Sequence, residues 1–359
     1  MLVRGLVFDG PGRAPTLEQL ELAPPGPGEV LVRYTASGVC RSDLHVVDGD
    51  WARPTPVVLG HEGAGVVEAL GDGVHDLALG DSVVLSWLAP CGTCRACVAD
   101  RSWLCTGSAA GTHLLPDGTA RLTRADGSAV RQYLGIGTMA EAAVVTRAAV
   151  VRVPSAVPAE VAALIGCGVA TGWGAVVRTA AVQPGERVVV VGCGGVGLAA
   201  VMAAADLGAD VVAVDLSPAK LEAARAAGAT TALSDPDWPQ RLGDVDVGLD
   251  CIGSPAVATA LLGAVVPGGR VLLVGMTAQG VTVPVDGYAL PDRGVSLIGC
   301  CYGSTVAARD FPRIAELYLD GRLPLDDLVD RRVGLAEVGD ALDRMRRGEG
   351  LRAVVDPTL

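Results

Sequence analysis

Aromatic side chains are scarce in this chain: two phenylalanines, five tyrosines and five tryptophans among 359 residues. Basic charge is in deficit, with 28 lysines and arginines against 40 acidic residues and a formal charge of −12. A surface of that sign repels a phosphate backbone, so nucleic acid is not expected as a partner. The opening MLVRGLVFDG meets an aspartate before an apolar signal region can form, so no secretory signal is expected and the chain is expected in the cytoplasm. Val188 to Ala205 carries no charge, yet it reads VVVVGCGGVGLAAVMAAA, and its glycines divide a strand from a helix. No membrane span is therefore expected. Internal repeats and low-complexity tracts are absent. A chain of this length, half of it apolar, is expected to form two domains with sizeable cores.

Cysteine, in contrast, is concentrated. PCGTCRACVADRSWLC, residues 90–105, sets Cys91, Cys94, Cys97 and Cys105 at the spacing C-x2-C-x2-C-x7-C. Persistent disulfides are rare in a reducing cytosol. A redox pair would put two cysteines at a helix start, not four in a glycine-bearing loop. Four thiolates so spaced can close a tetrahedron around Zn²⁺. A site filled by four cysteines has no position open to a substrate. It is expected to be structural, with the chemistry elsewhere.

The first 150 or so residues alternate short β-rich runs (EVLVRYTASGV, GAGVVEAL, DSVVLSWL) with Gly/Pro/Asp turns, which predicts a partly closed antiparallel barrel. From about residue 169 strands and helical patterns alternate, which predicts a doubly wound parallel sheet. A helical tail follows residue 301, too short for a third domain and expected to return to the first. GCGGVG fits G-x-G-x-x-G with Gly192, Gly194 and Gly197, after a four-valine strand and before a helix, and Asp215 ends the next strand. Gly192 permits the turn, Gly194 lets backbone approach a pyrophosphate, and Gly197 packs helix on strand. The diphosphate would lie at the helix N-terminus. Asp215 would accept hydrogen bonds from the ribose hydroxyls and repel a 2′-phosphate, so NAD is favoured over NADP.

A hydride carrier needs a place of delivery. GVCRSDLH offers Cys40, Ser42, Asp43 and His45; LGHEGAG offers His61 and Glu62; LIGCGVATG offers Cys167. One histidine with two cysteines makes a three-ligand zinc set with an open fourth position, the mark of catalytic zinc. With the GHE motif, the four-cysteine loop, GCGVATG and GCGGVG in this order, the chain resembles the zinc-dependent medium-chain alcohol dehydrogenases over essentially its full length. The resemblance implies that Cys40, His61 and Cys167 bind catalytic zinc, with Asp43 and Glu62 as carboxylates behind the ligands. It implies structural zinc at Cys91, Cys94, Cys97 and Cys105, hence two zinc ions per chain. It implies Arg41 and Arg352 on the pyrophosphate, Lys220 on the adenosine ribose, and Thr171 and Val196 against the nicotinamide. Cys193, Cys251, Cys300 and Cys301 match no ligand position. The implied fold is a GroES-like antiparallel barrel from 1–168 and 301–359 around an α/β Rossmann domain at 169–300.

The long segment GTHLLPDGTARLTRADGSAVRQYLG resembles the longer-chain, typically dimeric members, so a homodimer is expected. Some relatives with this segment act on thiol adducts of formaldehyde but generally lack a histidine like His45, whose presence favours an ordinary alcohol. Ser42 is expected to take the alcohol proton. His45 is expected to release it to solvent. Trp51 and Trp87 match positions that line the alcohol pocket, a slot suited to primary alcohols and their aldehydes. Two other readings compete: a zinc-dependent biosynthetic reductase of an aldehyde or imine, and a non-catalytic NAD-binding regulator.

Overall fold

A computed structural model describes residues 1–359 in two compact units. The first comprises Met1–Cys167, Val306–Leu319 and Val329–Leu359; the second comprises Gly168–Thr305 and Asp320–Leu328.

In the first unit, strands Leu2–Phe8, Thr16–Leu22, Leu122–Thr123, Ala129–Gln132 and Val57–Val58 close a five-stranded barrel. A seven-stranded sheet stands beside it. Its order is Val150–Arg152, Ser82–Leu85, Glu62–Leu70, Glu29–Gly38, Arg352–Val355 and Val329–Val333, with Ala142–Thr146 also pairing on Glu29–Gly38. Neighbours are antiparallel except Val57–Val58 with Ala129–Gln132 and Val329–Val333 with Arg352–Val355. The β-branched residues at alternate positions supply the core: Val30, Val32, Val67, Val83 and Val145 belong to one buried cluster with Tyr34. Val306–Leu319 and Val329–Leu359 return to this unit. Asp320–Leu328 belongs to the second unit, where Arg322 makes a two-pronged ion pair with Asp206 at 2.8 Å.

The second unit carries six parallel strands in the order Thr231–Leu233, Asp210–Val214, Arg187–Val191, Val245–Asp250, Val265–Leu273, Ser296–Gly299. In chain order that is 3-2-1-4-5-6, the doubly wound arrangement whose switch point lies beside the first strand. The uncharged run expected to divide does so: strand Arg187–Val191 is followed by helix Gly195–Asp206. One helical stretch, Ala159–Thr179, is long and apolar enough to cross a membrane. Since 83% of its most apolar window is buried within the fold, it serves as a core helix.

Candidate active site

Helix Arg41–Val47 starts immediately after Cys40, and its third residue reaches back. Asp43 is fully buried, and its Oδ2 accepts the Cys40 backbone N–H at 3.1 Å. Its Oδ1 accepts the N–H of Gly60 at 3.2 Å and bonds His61 Nδ1 at 3.1 Å. One carboxylate therefore ties the Cys40 turn to the strand entry at His61. The bond fixes the imidazole proton on Nδ1 and leaves Nε2 as the lone-pair atom. That Nε2 is buried without a hydrogen-bond partner. Cys167 comes from a third element, a π-helical stretch at Ile165–Val169, an arrangement that re-aims one side chain within an otherwise α-helical run. The ligand atoms of Cys40, His61, Glu62 and Cys167 lie within 4.8 Å of one another.

The electrostatics suit a dication. Cys40 is held well below the usual thiol range by the hydrogen bond from Cys167, helped by the Arg352 guanidinium and His61. Cys167, left with the shared proton, is pushed up by the neighbouring thiolate and by burial. Burial opposes a charge on His61, but Asp43 and Cys40 outweigh it and hold its pKa up, so a cation binding at Nε2 would displace a proton there. Glu62 is raised to about 7 by burial, against the pull of Arg352. Arg352 is itself buried: Nη2 donates to Glu62 Oε1 and Nη1 to the Val39 carbonyl at 3.0 Å. Gly38 makes room for this pair, since a Cβ there would fall 2.1 Å from Glu62 Oε2. Two sulfurs and one imidazole nitrogen with a buried, unpartnered lone pair fit zinc.

Ser42 and His45 lie three residues apart on the same helix, hence on one face. His45 Nδ1 bonds Asp50 Oδ2 at 2.7 Å, and the ring stacks on Trp51 with centroids 4.7 Å apart. Trp51 is buried in the core cluster containing Leu44 and Val46, so its face braces His45. Trp87 is half-buried against the Val30 cluster. Arg41 is exposed, and its guanidinium reaches the Met345 carbonyl at 3.5 Å. Asp50, Arg53 and Tyr133 were not singled out from sequence. Tyr133 meets the His61 ring edge-on at 5.5 Å and, as one of only five tyrosines, its rarity was the one available signal.

The four cysteines of the loop also converge, with their sulfurs within 4.8 Å of one another. The Cys91 N–H points to Cys105 Sγ at 3.2 Å and the Cys94 N–H to Cys91 Sγ at 3.4 Å. Backbone N–H groups lower Cys94 to about 5, and burial pushes Cys97 up to about 12. This donor set fits a closed zinc site. A cavity of about 340 Å³ adjoins it, walled by Pro90, Cys91, Ala110, Leu114 and Leu134, and contains none of Cys40, His61 or Cys167.

In the second unit, Gly192 adopts φ +95° at the turn, and a Cβ on Gly197 would fall 1.8 Å from the Gly192 carbonyl oxygen. At Gly194 a Cβ would meet open space, leaving the backbone approachable. Asp215 is held at the strand end by the N–H groups of Cys193, at 2.8 Å, and Ser217, at 2.9 Å. Lys220 lies on the following helix, Pro218–Ala226. Thr171 and Val196 come together because Gly172 lets two helices touch; a Cβ there would lie 2.1 Å from the Val196 carbonyl oxygen. A turn open to backbone approach, a helix start and a fixed carboxylate fit a dinucleotide.

The family model described as "Alcohol dehydrogenase GroES-like domain" matches residues 26–155, and "Zinc-binding dehydrogenase" matches residues 195–320. The chain is 37% identical over 370 residues to the NDMA-dependent alcohol dehydrogenase of Amycolatopsis methanolica, covering 99% of each. Among solved structures it is similar to an alcohol dehydrogenase zinc-binding domain protein from Burkholderia ambifaria (TM-score 0.95, 33% identical, 99% of each chain). It is similar as well to the benzyl alcohol dehydrogenase of Acinetobacter calcoaceticus (TM-score 0.93, 30% identical, 99% of each chain).

Proposed function

The chain belongs to the zinc-dependent medium-chain alcohol dehydrogenase family, and on that premise we propose that it interconverts primary alcohols and aldehydes using NAD and two zinc ions. The observation that carries the reading is the Asp43 clamp, which turns a buried, unpartnered His61 Nε2 toward the same point as Cys40 and Cys167. Zinc bound there would supply Lewis acidity, which lowers the pKa of a bound alcohol. NAD would supply the hydride acceptor.

The residues of this chain do the rest. Cys40, His61 and Cys167 leave the fourth position for the alcohol oxygen, with Glu62 drawn onto Arg352. Ser42 takes the hydroxyl proton. His45, braced by Trp51 and bonded to Asp50, passes it to water; its side chain is 16% exposed, enough to reach solvent. Asp215 holds the ribose hydroxyls, Lys220 assists there, and Gly192 to Gly197 receive the diphosphate. Trp87 narrows the pocket, and a second branch on the carbinol carbon would cost roughly 1–3 kcal/mol of overpacking. Strand Ser296–Gly299 pairs on one side only, with Val265–Leu273. Its open edge supports a two-fold dimer, which light scattering tests: a monomer or tetramer mass removes it.

Metal analysis combined with NAD reduction by matched primary and secondary alcohols tests the main reading. NDMA is included as a second acceptor because it is in the name of the Amycolatopsis methanolica relative. Two zinc ions and faster turnover of primary alcohols are expected. Fewer zinc ions in active protein, or a preference for secondary alcohols, would overturn it.

A further inference from the structure

Beside the proposed alcohol site lies a group of donors with no acid to answer them. Arg53 sits over the Trp51 ring, its Cζ 5.8 Å from the centroid, and its charge acts on the neighbouring Tyr133 hydroxyl. Tyr133 in turn contacts two imidazoles edge-on, His61 at 5.5 Å and His113 at 5.1 Å. The Nε atoms of Arg53 and Arg131 are buried without hydrogen-bond partners, and so is Nε2 of the fully buried His113. Neither arginine forms an ion pair, whereas Arg121, Arg124, Arg147 and Arg352 of the same unit each grip a carboxylate. The fields of Arg53 and Arg131 add to burial in lowering His113 to about 4. In a chain of net charge −12, this local excess of unpaired positive charge stands out against the whole. Guanidinium groups with desolvated N–H groups are costly until an anion meets them, and their fork suits a carboxylate.

We propose that Arg53 forms a cationic subsite for the far end of the substrate, selecting primary alcohols and aldehydes that bear a carboxylate. The proposal rests on the reading of Cys40, His61 and Cys167 as the alcohol site, one tyrosine ring away. Arg131 adds its positive charge to that of Arg53 at the buried His113.

The test compares 4-(hydroxymethyl)benzoate with 4-methylbenzyl alcohol, which share a shape and differ in charge. Wild type should favour the acid by about tenfold to a hundredfold in kcat/KM, mostly through KM, as a charge-assisted contact would give. Arg53→Gln should abolish that preference with the neutral alcohol nearly unchanged, and Arg53→Lys should restore part of it. No preference in wild type, or an equal loss on both substrates in Arg53→Gln, would overturn the subsite and leave Arg53 a structural residue. Binding of benzoate against benzamide, followed by tryptophan fluorescence, reads the subsite without turnover. If neither alcohol is oxidised, the functional reading fails, while tighter benzoate binding that Arg53→Gln abolishes still supports the subsite and equal binding refutes it. Should Arg53→Gln not fold, the wild-type ranking and Arg53→Lys decide.

Discussion

Replacing Asp43 by asparagine changes one oxygen to an amide nitrogen and keeps the volume. The native carboxylate serves three donors, with Oδ2 on the Cys40 N–H and Oδ1 shared by the Gly60 N–H and His61 Nδ1. An asparagine has one acceptor to offer. With its oxygen toward His61, its NH₂ group confronts the Cys40 N–H; flipped, it confronts two donors. At least one buried donor then loses its acceptor, which costs about 1–3 kcal/mol. Loss of a partner that orients a metal-binding histidine typically costs ~10–100-fold in metal affinity. Since ~1.4 kcal/mol is a factor of ten, the two figures describe the same loss. The assay is zinc competition with a chromophoric chelator. The four-cysteine site serves as internal reference, because Asp43 is no part of it. Asp43→Asn should weaken one zinc by about 10–100-fold and leave the other unmoved, with turnover falling in step. Unchanged affinity at both sites would refute the clamp; equal weakening at both would mean general unfolding.

Cys94→Ser should lower the thermal transition while the remaining folded protein keeps its turnover, because a closed zinc site contributes directly to folding; differential scanning fluorimetry beside a steady-state assay checks it. Asp215→Gly should raise kcat/KM with NADP relative to NAD, and a wild type already preferring NADP would reassign that carboxylate. His45→Gln should slow alcohol oxidation chiefly near neutral pH, and an unchanged pH–rate profile would remove His45 from the proton path. His113, buried neutral at about 4 against ~6.5 in an unfolded chain, adds stability above that unfolded value and loses it as pH falls toward 4. Denaturant titrations should show this loss, of about 3 kcal/mol at most, flattened in His113→Gln.

Chemistry carried by local spacing was legible in the sequence. Cys91, Cys94, Cys97 and Cys105 lie within one loop, and the run of valines before GCGGVG reads as a buried parallel strand at any fold context. What chain folding brings from afar was not. Tyr133 reaches His61, and Arg53 reaches Tyr133, only once the barrel closes. The stretch around Cys167 shows apolar helix in sequence, and the π-helical turn that aims its thiol leaves no periodic mark. Asp320–Leu328 joins the second unit, where Leu325–Leu328 packs on helix Gly195–Asp206, a contact between distant segments that leaves no local trace.

Arg352 and Glu62 are separated by 290 residues, and the strand Arg352–Val355 docks on Glu29–Gly38. During synthesis the ribosome must therefore emit the whole nucleotide unit before the guanidinium that neutralises Glu62 exists. The nascent barrel waits with the Glu62 carboxylate not yet met by Arg352 and an open sheet edge where the last strand will lie. The nucleotide sheet has all six of its strands between Arg187 and Gly299 and can assemble meanwhile. Vectorial folding would thus complete the proposed metal site last, and a ribosome stalled before codon 352 would display a chain able to form its six-stranded parallel sheet but not to finish the sheet of its first unit.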